Sequence, residues 1–290
     1  MPGRAGRTDR IEKAISGPGG DGRIYAPLCR AVPQGQGDFE RHTDEGKLCE
    51  ELQKRSLEVC AGTACYAFDQ GASFDDFRPR VEALCRRLTK LGAGYLVTMD
   101  ESDVGRYSEK KKDMDAAVWN AFFTKIRDMG RYTQEEFGIQ VVYHPHIKTM
   151  IEYEDEIERL MDFTGLNLCF DTGHHCYANG NGRQGEPSVP AFLRRYAKRI
   201  DYLHFKQVDG TVYRRVMEEN LDSDTAFDIG VMCDLPDGIV DFSALKPILD
   251  EIGFDGIGVV ESDMPQADNA RVFASAKRNL NYLREIHIIH

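Results

Sequence analysis

Four apolar runs in the second half of the chain each end in a side chain able to bind a metal ion or move a proton. They are Val141-Val142-Tyr143-His144-Pro145-His146, Leu168-Cys169-Phe170-Asp171, Ile200-Asp201-Tyr202-Leu203-His204 and Ile257-Gly258-Val259-Val260-Glu261. Carboxylates mixed with one or two imidazoles suit Mn²⁺, Co²⁺, Fe²⁺, Mg²⁺ or Zn²⁺. An ion held that way polarises a carbonyl and steadies an oxyanion developing beside it. Asp171, His204 and Glu261 are therefore candidate metal ligands. They lie far apart in sequence, but the strand ends of a parallel barrel converge on one mouth.

Each candidate has a blander reading. Asp171 opens an Asp-Thr-Gly stretch that favours turns, although His174 and His175 follow at once. His204 could be a satisfied interior histidine, and Glu261 a solvated loop carboxylate. The apolar run before each favours the rim position. His144 and His146 stand at i and i+2, so on a strand both face one side. Glu152 comes after a short loop, where it could reach a site or simply favour a helix N-terminus. His174, three residues after Asp171, is the better site candidate, and His175 is expected just outside it. Lys206 shares the strand face of His204 and could meet a substrate oxygen; otherwise it is a surface lysine.

The elements that would position these residues alternate along the chain. Helical periodicity covers residues 46–55, 77–91, 114–138, 153–163, 189–198, 242–252 and 270–286. Strand-like runs cover 57–62, 94–99, 139–143, 167–170, 200–205 and 256–260. Such alternation argues for a parallel sheet clad in helices. The expected fold is an α/β (β/α)8 TIM barrel. Fewer strands are evident than a barrel needs, so one or two near the N-terminus are expected to be degenerate or missing. Residues 1–45 read as an irregular segment, with turns at 17–20 and 33–37 and one weak strand candidate, Ile24-Tyr25-Ala26-Pro27-Leu28. Residues 46–290 read as the barrel domain. Residues 209–238 break the rhythm and read as an irregular loop, a candidate lid on the active-site face.

Composition narrows the partners. The chain has 290 residues, 41% hydrophobic and 29% charged, ordinary for a soluble enzyme. A formal net charge of -11 argues against a polyanionic partner, because phosphate contacts need clustered Lys and Arg. No apolar run reaches the roughly 18–20 residues of a membrane span. The first residues lack the apolar core of a signal peptide, so a cytoplasmic location is expected. The eight cysteines are too scattered for an all-thiol metal site.

Taken in order, the motifs resemble a known family. His144-Pro145-His146 with Thr149 and Glu152, then Phe170-Asp171-Thr172-Gly173-His174, then His204-Phe205-Lys206, then Pro236-Asp237-Gly238, then Val259-Val260-Glu261 are similar to those of the xylose isomerase-like TIM-barrel superfamily. Within it the wording most resembles myo-inosose-2 dehydratases. The resemblance covers roughly residues 46–285. One departure is Lys148, where the dehydratase motif usually has glycine before the threonine. The resemblance implies a divalent ion, Mn²⁺ or Co²⁺ first and Zn²⁺, Fe²⁺ or Mg²⁺ otherwise, on Asp171, His204 and Glu261. Sugar epimerase relatives carry a glutamate where this chain has His144, so the fourth ligand is open between His144 and Glu152.

The implied reaction is dehydration of a keto-cyclitol of the 2-keto-myo-inositol type through an enediolate. A base, Glu261 or Glu152, removes the proton α to the carbonyl. An acid, His144, His146 or His174, protonates the departing hydroxyl. His146 and Lys206 would bind substrate. The expected partner is a small polyol or keto-sugar, with no nucleic acid or membrane, and a homo-oligomer is compatible. The runner-up is a sugar isomerase or epimerase using the same chemistry. An apurinic endonuclease-like enzyme is disfavoured by the charge. The alternative from another class is an inactive barrel that binds a polyol or a protein.

Overall fold

The computed structural model describes residues 14–16, 24–28, 45–54, 56–102, 104, 111, 114–263 and 268–289. Eight strands close a barrel in the order β1-β10-β7-β6-β5-β4-β3-β2. They are β1 (Ala14–Ser16), β2 (Ile24–Leu28), β3 (Leu57–Tyr66), β4 (Tyr95–Asp100), β5 (Gln140–Tyr143), β6 (Asn167–Asp171), β7 (Ile200–Phe205) and β10 (Ile257–Val260). From β2 round to β10 every pairing is parallel. A two-stranded sheet of β8 (Gln207–Val208) and β9 (Met232–Cys233) stands apart.

The N-terminal strands are present but degenerate: β1 has three residues, and the pairing of β2 with β3 shifts register between Ala26 and Leu28. β1 runs antiparallel to both β10 and β2, joining Ala14 to Val259 and to Tyr25. Only residues 17–23 separate β1 from β2. A parallel crossover needs a dozen residues or more, so this short link permits only an antiparallel pair. The turns read at 17–20 and 33–37, and the first residues, lie outside the described residues.

Helices clothe the barrel where apolar stripes predict them. Arg78–Lys90 buries Val81, Cys85 and Leu88. Ala116–Phe137 is capped by Asp115, whose carboxylate accepts from Ala117 and Val118 N–H, and stops at Gly138 with φ 66. The interior beneath the mouth is a separate cluster of Cys60, Ala61, Val97, Val142, Cys169, Tyr202 and Val259. Two residues beyond Val142, Cys169, Tyr202 and Val259 stand His144, Asp171, His204 and Glu261. The period of two therefore carries the inward face from the apolar floor to the rim.

Residues 209–238 are not irregular. They form the helices Gly210–Glu219 and Ser223–Asp228, capped by Asp209 and Asp222, and then β9. The six-residue helix Ser223–Asp228 is too short to show an apolar period, but Gly210–Glu219 places Tyr213 and Val216 on one face, and an Asp caps each start, so both signals were available for the longer helix. Among the described residues no helix is long and apolar enough to cross a membrane.

Candidate active site

The register of the barrel brings the strand ends level. Asp171 of β6 lies opposite His204 of β7, which in turn lies opposite Val259 of β10. The Glu261 N–H donates to Phe205 O at 3.1 Å, extending that pairing past β10. His144 follows β5 and donates its N–H to Thr98 O at 2.7 Å. One ligand atom each from His144, Asp171, His204 and Glu261 can gather with all four within 4.8 Å of one another.

Asp171 divides its two oxygens. Oδ1 accepts from the Gly173 and His174 N–H groups, each at 2.8 Å, capping the helix Thr172–Asn179. Oδ2 faces His204 Nδ1 at 3.4 Å and Lys206 Nζ at 3.2 Å. Glu261 Oε2 lies 2.7 Å from His204 Nδ1 and 3.1 Å from Lys206 Nζ. These are close charges without hydrogen-bond alignment. Asp171 Oδ2, Glu261 Oε2, His204 Nδ1 and His144 Nδ1 are all buried polar atoms lacking a hydrogen-bond partner. Native interiors seldom leave such atoms unpaired. Two carboxylate oxygens and two imidazole nitrogens with that unmet demand fit a divalent cation.

The imidazoles separate into two electrostatic groups. Burial disfavours the charged form of every one. It pulls the His144 pKa down to about 3, with the neighbouring His204 adding to the effect. Burial and the Lys206 charge also lower His146, and burial with the adjacent His146 lowers His174. These three are neutral rings. At His204 burial again pushes downward, but Cys169, Glu261 and Asp171 outweigh it and hold the pKa above the ordinary value. Burial would raise Asp171 and Glu261, yet the Lys206 ammonium, with His204, keeps both carboxyls well below the usual range.

A second group of histidines adjoins the first. His144, His146 and His174 can place nitrogens within 4.8 Å of one another, and the His146 and His174 rings are 4.0 Å apart. His146 Nδ1 lies 2.8 Å from Ile147 O, a contact in which Nδ1 carries the proton and Nε2 keeps its lone pair. Lys206 Nζ donates to His174 Nε2 at 2.8 Å. Glu152 is buried and lines a cleft with His146, Asp171 and His174, but it is not one of the four clustered donors. His175 points away from the mouth, between Phe170 and Phe192, with Nε2 3.4 Å from Glu154 Oε1.

Sequence reasoning missed Asp263, whose Oδ2 is 2.9 Å from Lys206 Nζ. Its signal was the i+2 position after Glu261. It also missed Asn279, fully buried on the last helix, whose side chain donates to Ser262 Oγ at 3.3 Å and accepts from Leu235 N at 2.8 Å. No local pattern marks that residue, because its partners come from two other segments.

The family model of the xylose isomerase-like TIM barrel matches residues 30–286, and the chain belongs to that family. Within it the chain is 36% identical to an inosose dehydratase of Geobacillus kaustophilus, over 83% of this chain and 78% of that protein. It is 32% identical to the rhizopine catabolism protein MocC of Rhizobium meliloti, over 73% of this chain. That match spans 65% of MocC, and a match to the inosose dehydratase of Clostridium beijerinckii spans 57% of its length. Among solved structures, the zinc-bound IolI protein superposes with a TM-score of 0.62 at 14% identity, covering 85% of this chain and 83% of that one. This last likeness is one of fold.

Proposed function

We propose that the protein is a divalent-metal-dependent dehydratase of a keto-cyclitol, of the inosose type. The observation that carries this reading is the convergence of His144, Asp171, His204 and Glu261, with buried donor atoms that lack a hydrogen-bond partner, at the mouth of the barrel. The inosose dehydratases among its relatives, aligned over most of the chain, supply the substrate class. Those four residues would hold the ion; Mn²⁺ or Co²⁺ suits the mixed oxygen and nitrogen set, and Zn²⁺ is also compatible. When bound, the ion would polarise the ketone and stabilise negative charge on its oxygen.

The remaining groups move protons and orient the ring. Glu152 lines the cleft beside His146 and His174 and would serve as base for the proton α to the ketone, giving an enediolate. With Nε2 accepting from Lys206, His174 carries its proton on Nδ1 and is placed to hand it to the departing hydroxyl, while His146 offers Nε2 as an acceptor that orients the ring. His174 can be re-supplied from Lys206 through their 2.8 Å contact. The buried setting excludes water and strengthens each of these interactions.

Incubation with a chelator should abolish turnover of an inosose, and added Mn²⁺ or Co²⁺ should restore it. Loss of water yields a conjugated product, so appearance of ultraviolet absorbance reports the reaction. Turnover unaffected by chelation would overturn the metal requirement. Isomerisation or epimerisation of ketoses without that absorbance would favour the sugar isomerase reading.

A further inference from the structure

The Lys206 ammonium bridges the two carboxylate oxygens proposed above as metal ligands, 3.2 Å from Asp171 Oδ2 and 3.1 Å from Glu261 Oε2. Its third carboxylate partner is different. Asp263 Oδ2, 2.9 Å away, belongs to a side chain 31% exposed, at the edge of the site. The Lys206 backbone is fixed on both sides by Thr172: its N–H donates to Thr172 Oγ1 at 2.9 Å, and its carbonyl accepts from the same hydroxyl at 2.7 Å. The lower stem is held by Gly173, where a Cβ would lie 2.5 Å from Lys206 Cγ. Only the end of the side chain is left to move, and its alternative partners are Asp263 and His174 Nε2.

We infer that Lys206 is an internal cation that competes with the metal ion for Asp171 and Glu261, and that Asp263 draws its ammonium aside when the ion binds. The inference rests on the metal reading of the site. Its physical reason is that Asp171 has one oxygen left for a cation, since Oδ1 is committed to two backbone N–H groups. Two positive charges on the remaining oxygen repel in a buried setting where solvent screens little. Asp263 offers the displaced ammonium a carboxylate that is not a ligand. Lys206 is thus a positioning residue for metal loading, and it keeps its contact with His174 when the ion is in place.

The test is Co²⁺ binding by calorimetry to the purified, metal-stripped full chain. Lys206→Met should tighten Co²⁺ binding about tenfold or more, because a competing charge is gone. Asp263→Asn should weaken it severalfold, and that weakening should vanish in the Lys206→Met background, because Asp263 acts through Lys206. Unchanged or weaker binding by Lys206→Met overturns the inference, as does an Asp263→Asn effect that persists without Lys206. If Lys206→Met does not fold, Asp263→Asn decides alone: unaltered Co²⁺ affinity overturns the inference. Asp171→Asn and His204→Ala separate this outcome from failure of the metal reading. They should abolish Co²⁺ binding, and binding that survives them would show that the ion sits elsewhere.

Discussion

Asp171 holds a helix with one oxygen and faces the site with the other. Asp171→Asn separates these roles, since asparagine caps a helix about as well as aspartate but offers the site an amide. The variant should keep its melting temperature within a few degrees while turnover falls at least about 100-fold. A large loss of stability with activity retained in the folded fraction would refute the division of labour. Gly173 is needed for close approach rather than for backbone freedom, because its neighbour there is the Lys206 stem. Gly173→Ala should cost about 1–3 kcal/mol in urea unfolding by overpacking; a neutral result would mean the stem yields freely. At this scale the sequence made Asp171, His204 and Glu261 legible through apolar runs that end in ligand-type residues. It left the fourth donor open because both His144 and Glu152 satisfy the local pattern. Only the strand geometry turns His144 toward the cluster.

The loop between β5 and the helix Glu154–Thr164 shows how an element is held. Thr149 Oγ1 donates to His146 O at 2.7 Å, and the His146 N–H donates to Ile151 O at 3.1 Å. Glu156 caps the following helix by accepting from the Glu152 and Tyr153 N–H groups at 2.8 and 3.0 Å, and it pairs with the buried Lys111 at 2.7 Å. Lys148 sits in this loop with φ 59, a left-handed conformation that favours glycine, the residue expected there from the dehydratase motif. Its ammonium reaches Asp224 Oδ2 at 2.8 Å on the helix Ser223–Asp228, tying the loop to the insertion. Lys148→Gly should raise stability by about 0.5–1 kcal/mol, since relief of the left-handed backbone exceeds the loss of an exposed ion pair. A drop in the denaturant midpoint would show the Asp224 contact to be the stronger. Long helices and β3 to β7 were legible from periodicity. The helices of 210–228 were not: Ser223–Asp228 buries only Ala226, too little for a period, whereas Gly210–Glu219 does carry Tyr213 and Val216 on one face, a pattern obscured by the surrounding turn-like residues.

At the scale of the whole molecule, the last helix, Asn269–Glu285, fastens the segment after β9 to the end of β10. Buried Asp234 accepts from Arg271 and Arg278 at 3.2 Å each, and Ser275 also donates to it. Arg278 further pairs with Asp237, whose carboxyl it holds below the ordinary value mainly through that hydrogen bond. A depressed carboxyl adds stability above its unfolded pKa, near about 3.9, and loses it as pH falls through the folded value. Asp237→Asn should therefore lower stability at pH 7 slightly, by under about 1 kcal/mol for so exposed a pair, and not at pH 2. Acid titrations of the two proteins that run parallel down to pH 2 would contradict this. The sequence by itself determined the α/β alternation, the barrel class and the candidate ligands, because local periodicity and strand-end side chains are written in neighbouring residues. Tertiary structure alone decided that β1 runs antiparallel, that His144 joins the cluster while Glu152 stands beside it, and that Lys206 lies between the carboxylates of Asp171 and Glu261. Those outcomes depend on barrel register and on which charges share one buried volume, and neither is fixed by any stretch of chain taken alone.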